Sequence, residues 1–410
     1  MTKPLKFMLF ALLLCVVVCF LLFLTWPTQP VVFTAELSAR EVAASDISVT
    51  KENSTHDKGG TFSPVRAMQD QDKTNNSKNK NTPTKDKLEE NMTPSDSYTS
   101  NANVRQHPRY LIYLCDEIRS CGGWGDRQKG IVAAYLLAEV TGRQFGINMS
   151  YPCDIKIFYV PNLVDWYVKV KDIRGLNWEI VDWMDNRKGV VDVDIDFNMK
   201  YPSDVIFLKT NRDIINRIKK SSRYGRLVPK QFKDGSRAQV FQTIWHILMK
   251  KSFHFEDHLD RFMKRIPKNG DLVCAHVRIW KNPSISNDGA SINSLSSVDI
   301  LWRFLSEHDN YSRVFIASDS LDVRNSARKW FGVREIDTDG AVLHIDRQGH
   351  KSGACLGFEM ALLDQTVLSL CKVLVVSTSN FSIRGAMMSQ LEQKLFIFRN
   401  GTITPFRFNG

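Results

Sequence analysis

The amino-acid sequence predicts an α/β protein of two Rossmann-like domains, set behind an N-terminal transmembrane helix and a disordered stem. Three observations lead to that reading. From Arg109 onward, short apolar runs alternate with helical segments, as in parallel sheets built from βαβ units. The run Asp271-Leu-Val-Cys-Ala-His-Val-Arg-Ile-Trp280 follows the breaker cluster Pro267-Lys-Asn-Gly270 and reads as a strand inside a parallel sheet. Loops rich in Gly, Ser and Asp recur where strands give way to helices, and open α/β sheets bind ligands at the carboxyl ends of their strands.

Residues 1–6 read as a cytosolic tail. Residues 7–26, Phe7 to Trp26, form a charge-free apolar run of about 20 residues, long enough to cross a bilayer as a helix. Lys3 and Lys6 precede it and no Lys or Arg follows before Arg40, which places the N-terminus in the cytosol and the body in the lumen. An Ala-x-Ala-like cleavage site is missing around Trp26-Pro27-Thr28, so the segment reads as an uncleaved signal-anchor in contact with the lipid bilayer. Residues 27–106 are dominated by Ser, Thr, Asn, Lys, Asp and Gln. Such a composition buries too little apolar surface to offset its ordering entropy and predicts a lumenal stem, with Asn-x-Ser/Thr acceptors at Asn53, Asn75 and Asn91. Anchor, stem and body is the layout of Golgi enzymes, and also of cell-surface binding proteins.

The body divides into an N-terminal domain at 107–262 and a C-terminal domain at 263–410. In the first, Arg109–Cys115, Gln144–Asn148 and Asp204–Leu208 read as strands, Ile131–Val140 as a largely buried helix, and Phe241–Met249 as part of another. In the second, strands at 271–280, Arg313–Ala317, Glu335–Ile336 and Lys372–Ser377 alternate with helices at Ser297–Ser306, Ser320–Phe331 and Gly357–Leu370, and a further helix begins near Ile383. The triplet Asp192-Val-Asp-Ile-Asp196 has the spacing of a nucleotide-sugar metal motif, but its alternation predicts the polar face of an exposed strand.

Six cysteines fall in the body: Cys115, Cys121, Cys153, Cys274, Cys355 and Cys371. An oxidising lumen favours disulfides, although six cysteines allow fifteen pairings, and Cys274 and Cys371 in apolar strands could equally be buried thiols. Their scatter argues against a zinc site. The net charge is +11. For a lumenal body this excludes nucleic acid as the expected partner and suits a nucleotide-sugar diphosphate or an acidic glycan, besides ordinary surface lysines.

Three loops and one strand end could meet. His276 and Arg278 lie two apart near the end of the 271–280 strand, and arginine offers a donor fork that matches a phosphate, or pairs with a surface carboxylate. Cys121-Gly-Gly-Trp-Gly-Asp-Arg-Gln-Lys129 puts Gly122, Gly123 and Gly125 ahead of a helix, where backbone approaches closely and helix-end N–H groups attract anions. It is neither G-x-G-x-x-G nor a Walker loop. Phe315-Ile-Ala-Ser-Asp-Ser320 ends a strand in Asp319 and Ser320, which could cap a helix or accept from a nucleoside. Val375-Val-Ser-Thr-Ser-Asn-Phe-Ser-Ile-Arg384 groups Ser377, Ser379 and Ser382 with their backbone amides as a candidate phosphate nest at a helix N-terminus, or as serine caps without a ligand.

Taken in order, these four motifs resemble those of the GDP-fucose-using fucosyltransferase superfamily, the α1,2-, α1,6- and protein O-fucosyltransferases, across residues 109–395. The resemblance implies a GT-B fold with two domains facing across a cleft. It implies inverting transfer of fucose from GDP-fucose to a hydroxyl of a glycan or glycoprotein, with no metal or other cofactor. Arg278 would match the diphosphate-binding arginine, with His276 beside it. Asp319 and its neighbour Ser320 would contact the nucleoside or fucose, and Ser379, Phe381 and Ser382 would hold the phosphates. Gly122, Gly123 and Gly125 would line the donor–acceptor junction. One position departs: some members carry Asn where this chain has Asp126.

The chemistry needs stabilisation of the leaving diphosphate, expected from Arg278 and helix-end amides, and a general base for the acceptor hydroxyl, for which Asp126 is the candidate. An ion pair of Asp126 with Arg127 is the structural reading of the same carboxylate. Two other functions compete with fucose transfer: a membrane-anchored binding protein that keeps the pocket without turnover, and a Golgi sulfotransferase. Nucleotide preference separates the three.

Overall fold

The computed structural model describes residues 107–408, apart from 119–120, 185–191, 269, 280–292, 309–311, 341–344 and 346–351. The anchor at 7–26, the stem at 27–106 with Asn53, Asn75 and Asn91, and the loop that follows Ile279 lie outside the described residues. Among the described residues no helix is long and apolar enough to cross a membrane.

The chain is a mixed α/β fold with two mainly parallel sheets. The first is ordered β2-β1-β5-β4, where β1 is Tyr110–Cys115, β2 Gln144–Met149, β4 Trp178–Asp182 and β5 Val205–Lys209, and its strand pairs are all parallel. Strand β1 is buried along its whole length, as its unbroken apolar sequence requires. Between these come β3 (Tyr159–Pro161) and, later in the chain, β6 (Met249–Lys251), which pair antiparallel as a small ribbon. The second sheet is ordered β12-β11-β10-β7-β8-β9, with β7 at Leu272–Val277, β8 at Arg313–Ser318, β9 at Glu335–Ile336, β10 at Val373–Val376, β11 at Lys394–Arg399 and β12 at Thr402–Pro405. Only β12 runs antiparallel.

Helix α1 (Trp124–Thr141) begins inside the glycine-rich stretch that the sequence reads as a loop, so Gly125, Asp126 and Lys129 belong to its first turns. Its end is set by Gly142 at φ 64°, whose N–H returns to the carbonyls of Ala138 and Glu139. Helix α2 (Arg237–Leu248) opens with a reciprocal capping box between Ser236 and Gln239. Helices α3 (Phe253–Met263), α4 (Val298–Ser306), α5 (Leu321–Phe331), α6 (Ala354–Ser369) and α7 (Asn380–Met388) complete the main frame. Residues 192–196 are not a strand, because their short carboxylates satisfy nearby backbone instead. Asp192 accepts from the N–H of Asp194, and Asp196 caps a short helix through Met199 N–H.

One core runs from the first sheet into the second. Trp124 is its junction: the indole lies edge-on to Trp245 at 5.7 Å and to Phe358 at 5.4 Å, and donates to Gln365 Oε1 at 2.7 Å. All six body cysteines are paired, as Cys115–Cys121, Cys153–Cys355 and Cys274–Cys371. The second ties the two sheet-bearing halves covalently, across 202 residues of sequence.

Candidate functional site

Strand register decides where the sequence-selected residues go. Strands β7 and β8 pair with Val277 opposite Ser318, so the next residues, Arg278 and Asp319, leave the sheet side by side. Arg278 Nε lies 3.4 Å from Asp319 Oδ2, while Asp319 Oδ1 accepts the N–H of Ile279 at 2.8 Å. Asp319 is therefore a support for Arg278 and its backbone, and the helix cap belongs to Ser320, whose own side chain makes no capping bond. The Ser320 side chain is buried and its N–H donates to Ser318 Oγ.

On the other side of β7, strand β10 brings Ser377 to His276. His276 Nδ1 lies 2.7 Å from Ser377 Oγ and 3.0 Å from Ser382 Oγ, and the ring stands 5.2 Å from that of Phe381. Burial pushes the imidazole down to a pKa of about 3, and the neighbouring Arg278 adds to the effect. The ring is neutral, its orientation is fixed through Nδ1, and Nε2 is the nitrogen without a partner among the described residues. Ser377 and Ser382 are fully buried, so their hydroxyls serve His276. Ser379 caps α7 by accepting from Phe381 N–H. What α7 offers a ligand is its first-turn backbone N–H groups, with Phe381 half-buried beside them.

The glycine stretch reaches the same place from the first sheet. A Cβ on Gly125 would stand 2.5 Å from the Asn380 carbonyl carbon, so glycine alone lets the start of α1 touch the start of α7. Two positive helix ends brought together repel unless negative charge lies near them. Asp126 supplies some of it. Its Oδ1 lies 2.6 Å from Lys129 Nζ and accepts from Asn380 Nδ2 at 2.9 Å, which joins the two halves of the chain. Asp126 Oδ2 faces Gly122 and Gly123, and Gly122 adopts φ 80°.

Arg127, one residue on, turns away into the core. Its Nε donates to the Gly122 carbonyl at 2.8 Å and one terminal nitrogen to the Tyr151 carbonyl. The cation paired with Asp126 is Lys129, a partner that i,i+3 spacing on a helix could have suggested had the helix start been placed at Trp124. The sequence reading also missed Asn380 and Gln365. The latter joins Trp124 and Gln128 of α1 to the Phe381 carbonyl of α7, and nothing local marks a mid-helix glutamine for that role.

The site thus gathers an arginine backed by Asp319, a neutral histidine and two helix N-termini at the carboxyl ends of β7, β8 and β10, beside the carboxylate of Asp126. This is the equipment of an anion-binding site next to a potential base. Among the described residues no group of three or more His, Cys, Asp or Glu side chains is placed to hold a metal ion.

No protein-family model and no curated protein sequence matches the chain. Solved structures similar to it include fucosyltransferases with GDP or GDP-fucose bound. NodZ α-1,6-fucosyltransferase soaked with GDP-fucose is 14% identical, covering 73% of this chain and 99% of its own, with a TM-score of 0.45. A substituted form of Arabidopsis thaliana FUT1 in complex with GDP is 12% identical over 72% of this chain and 71% of its own, at a TM-score of 0.49. POFUT1 in complex with GDP is 13% identical over 71% of this chain and 98% of its own, at a TM-score of 0.42.

Proposed function

We propose that this protein is a glycosyltransferase that moves fucose from GDP-fucose to a hydroxyl of a glycan or glycoprotein, with inversion and without a metal. The observation that carries the reading is the meeting of Arg278, His276 and the starts of α1 and α7 at one sheet edge. These are the residues whose motifs resemble the superfamily. Arg278 binds the diphosphate of the donor and stabilises its charge as the bond to fucose breaks. The first-turn N–H groups of α7 share that charge. The acceptor oxygen attacks the anomeric carbon, the bond from that carbon to the β-phosphate oxygen breaks, and GDP leaves with the bonding electrons. The acceptor proton passes to Asp126 Oδ2, which has no hydrogen-bond partner among the described residues, while Lys129 and Asn380 hold Oδ1. The apolar run at residues 7–26 supports a single-pass type II protein of the Golgi membrane with its body in the lumen, where nucleic acid is not the expected partner.

The test uses full-length protein from a eukaryotic secretory host, extracted in mild detergent, with GDP-fucose, GDP-mannose, UDP-sugars and the activated sulfate donor offered separately in EDTA. Saturable binding and turnover of GDP-fucose is expected. Arg278→Ala should weaken donor binding by about 2–3 kcal/mol, the scale of a lost charged hydrogen-bond pair. Binding without turnover would favour the non-catalytic binding protein, preference for the sulfate donor the sulfotransferase, and equal donor binding by Arg278→Ala would sink the site.

A further inference from the structure

The loop after β5, residues 210–213, approaches the glycine stretch from the first sheet. It is held by its neighbours. Arg212 donates its N–H to Thr210 Oγ1 at 3.1 Å and its Nε to the Trp183 carbonyl at 2.8 Å. Asp213 Oδ2 accepts from Arg237 Nε at 2.8 Å and from Arg384 of α7 at 2.7 Å. Arg384 is itself buried, 4.5 Å over the ring of Phe241. Within this anchored loop the amide of Asn211 stands apart, for it makes no hydrogen bond among the described residues. It borders the glycine loop: the point where a Gly122 Cβ would lie is 3.6 Å from Asn211 Nδ2 and 3.5 Å from Asp126 Oδ2. Gly122 has no Cβ, so the space over its Cα, next to Asp126 Cβ, is bordered by both an amide and a carboxylate oxygen that make no hydrogen bond among the described residues.

We propose that Asn211 is a further substrate-positioning residue, which holds the nucleophilic hydroxyl against Asp126 in the space over Gly122. The inference rests on the transferase reading. An attacking hydroxyl oxygen has one proton and two lone pairs. Asp126 Oδ2 accepts the proton, Asn211 Nδ2–H occupies one lone pair, and the other is aimed at the anomeric carbon. The bond formed runs from that oxygen to the anomeric carbon, and the bond broken runs from that carbon to the β-phosphate oxygen. The arrangement is indifferent to what carries the hydroxyl, so water occupies the same place when no acceptor is present.

Hydrolysis of GDP-fucose to GDP and free fucose therefore reads the residue without knowledge of the acceptor. With full-length protein in detergent, Asn211→Ala and Asn211→Ser should leave the melting temperature and the GDP-fucose Kd unchanged and lower the hydrolytic kcat at least about tenfold. A structural role would lower stability, and a donor-binding role would raise Kd. Wild-type hydrolysis with kcat unchanged in both variants overturns this inference alone. A wild-type protein that neither binds nor hydrolyses GDP-fucose overturns the transferase reading and this inference with it.

Discussion

His276 illustrates how a side chain that could serve as an acid or base is assigned another task by its surroundings. Its ring is buried between the hydroxyls of Ser377 and Ser382 and next to Arg278, and the pKa falls to about 3. The native state thus keeps the ring neutral where an unfolded chain protonates it, below about pH 6.5. Between these values the unfolded state binds more protons. The stability held by the neutral ring is complete above about pH 6.5 and declines by about 1.4 kcal/mol per pH unit as pH falls toward 3. Thermal melts from about pH 6.5 down to pH 4 should show this slope, and His276→Gln should flatten it. An unchanged slope would mean that the ring is protonated in the native state. At Asp126, replacement by Asn keeps shape and removes the proton acceptor. Its kcat is expected to drop by about 10²- to 10⁴-fold with little change in donor Kd. A variant with full kcat would remove Asp126 from the chemistry and leave it as the link between Lys129 and Asn380.

Among elements, the contact of α1 with α7 sets the site. Gly125→Ala would push a methyl group to 2.5 Å from backbone carbon of Asn380, so α7 must move and donor affinity should fall together with melting temperature. Gly123→Ala offers the control, because among the described residues its Cβ would meet nothing nearer than Asp126 Oδ2 at 4.0 Å and its φ of −66° suits any residue. Equal loss in both variants would contradict the close approach. In the second sheet, Cys274–Cys371 closes 97 residues between β7 and the start of β10. On chain entropy such a closure stabilises by about 4–5 kcal/mol, so a Cys274→Ala/Cys371→Ala protein should melt well below the parent. An unshifted melting temperature would show that the sheet contacts alone hold these strands.

At the scale of the whole molecule, the two sheet-bearing halves are joined by Cys153–Cys355, by a continuous apolar core through Trp124, and by polar bonds from Asp126, Gln365 and Asp213. The site is built from both halves. The segment before the body makes its own prediction: the full-length protein should resist alkaline carbonate extraction, and Asn53, Asn75 and Asn91 should carry N-glycans removable by endoglycosidase. A stem without glycans, or a protein released by carbonate, would overturn the type II topology.

How much of this was legible in the chain depends on how local each cause is. Unbroken apolar runs named β1, β7, β8 and β10, because strands buried on both faces need little beyond their own composition. The short β4 and the pair β11–β12, with partly exposed residues, escaped notice, although β11 carries the apolar run Leu395–Phe398. Carboxylates at 192–196 imitated an alternating strand until Ser221, Ser222 and neighbouring N–H groups claimed them. By itself the sequence determined an α/β body, the glycine loop and its order with His276, Arg278, Asp319 and the Ser379–Ser382 turn, since residue type and neighbours suffice for these. Tertiary structure alone decided that Asp319 supports Arg278, that His276 is neutral, that Asp126 pairs with Lys129 and Asn380, and which cysteines join. Most of those outcomes depend on strand register and on contacts between residues far apart in the chain, which local sequence does not encode; the Asp126–Lys129 pair needed only the right helix start.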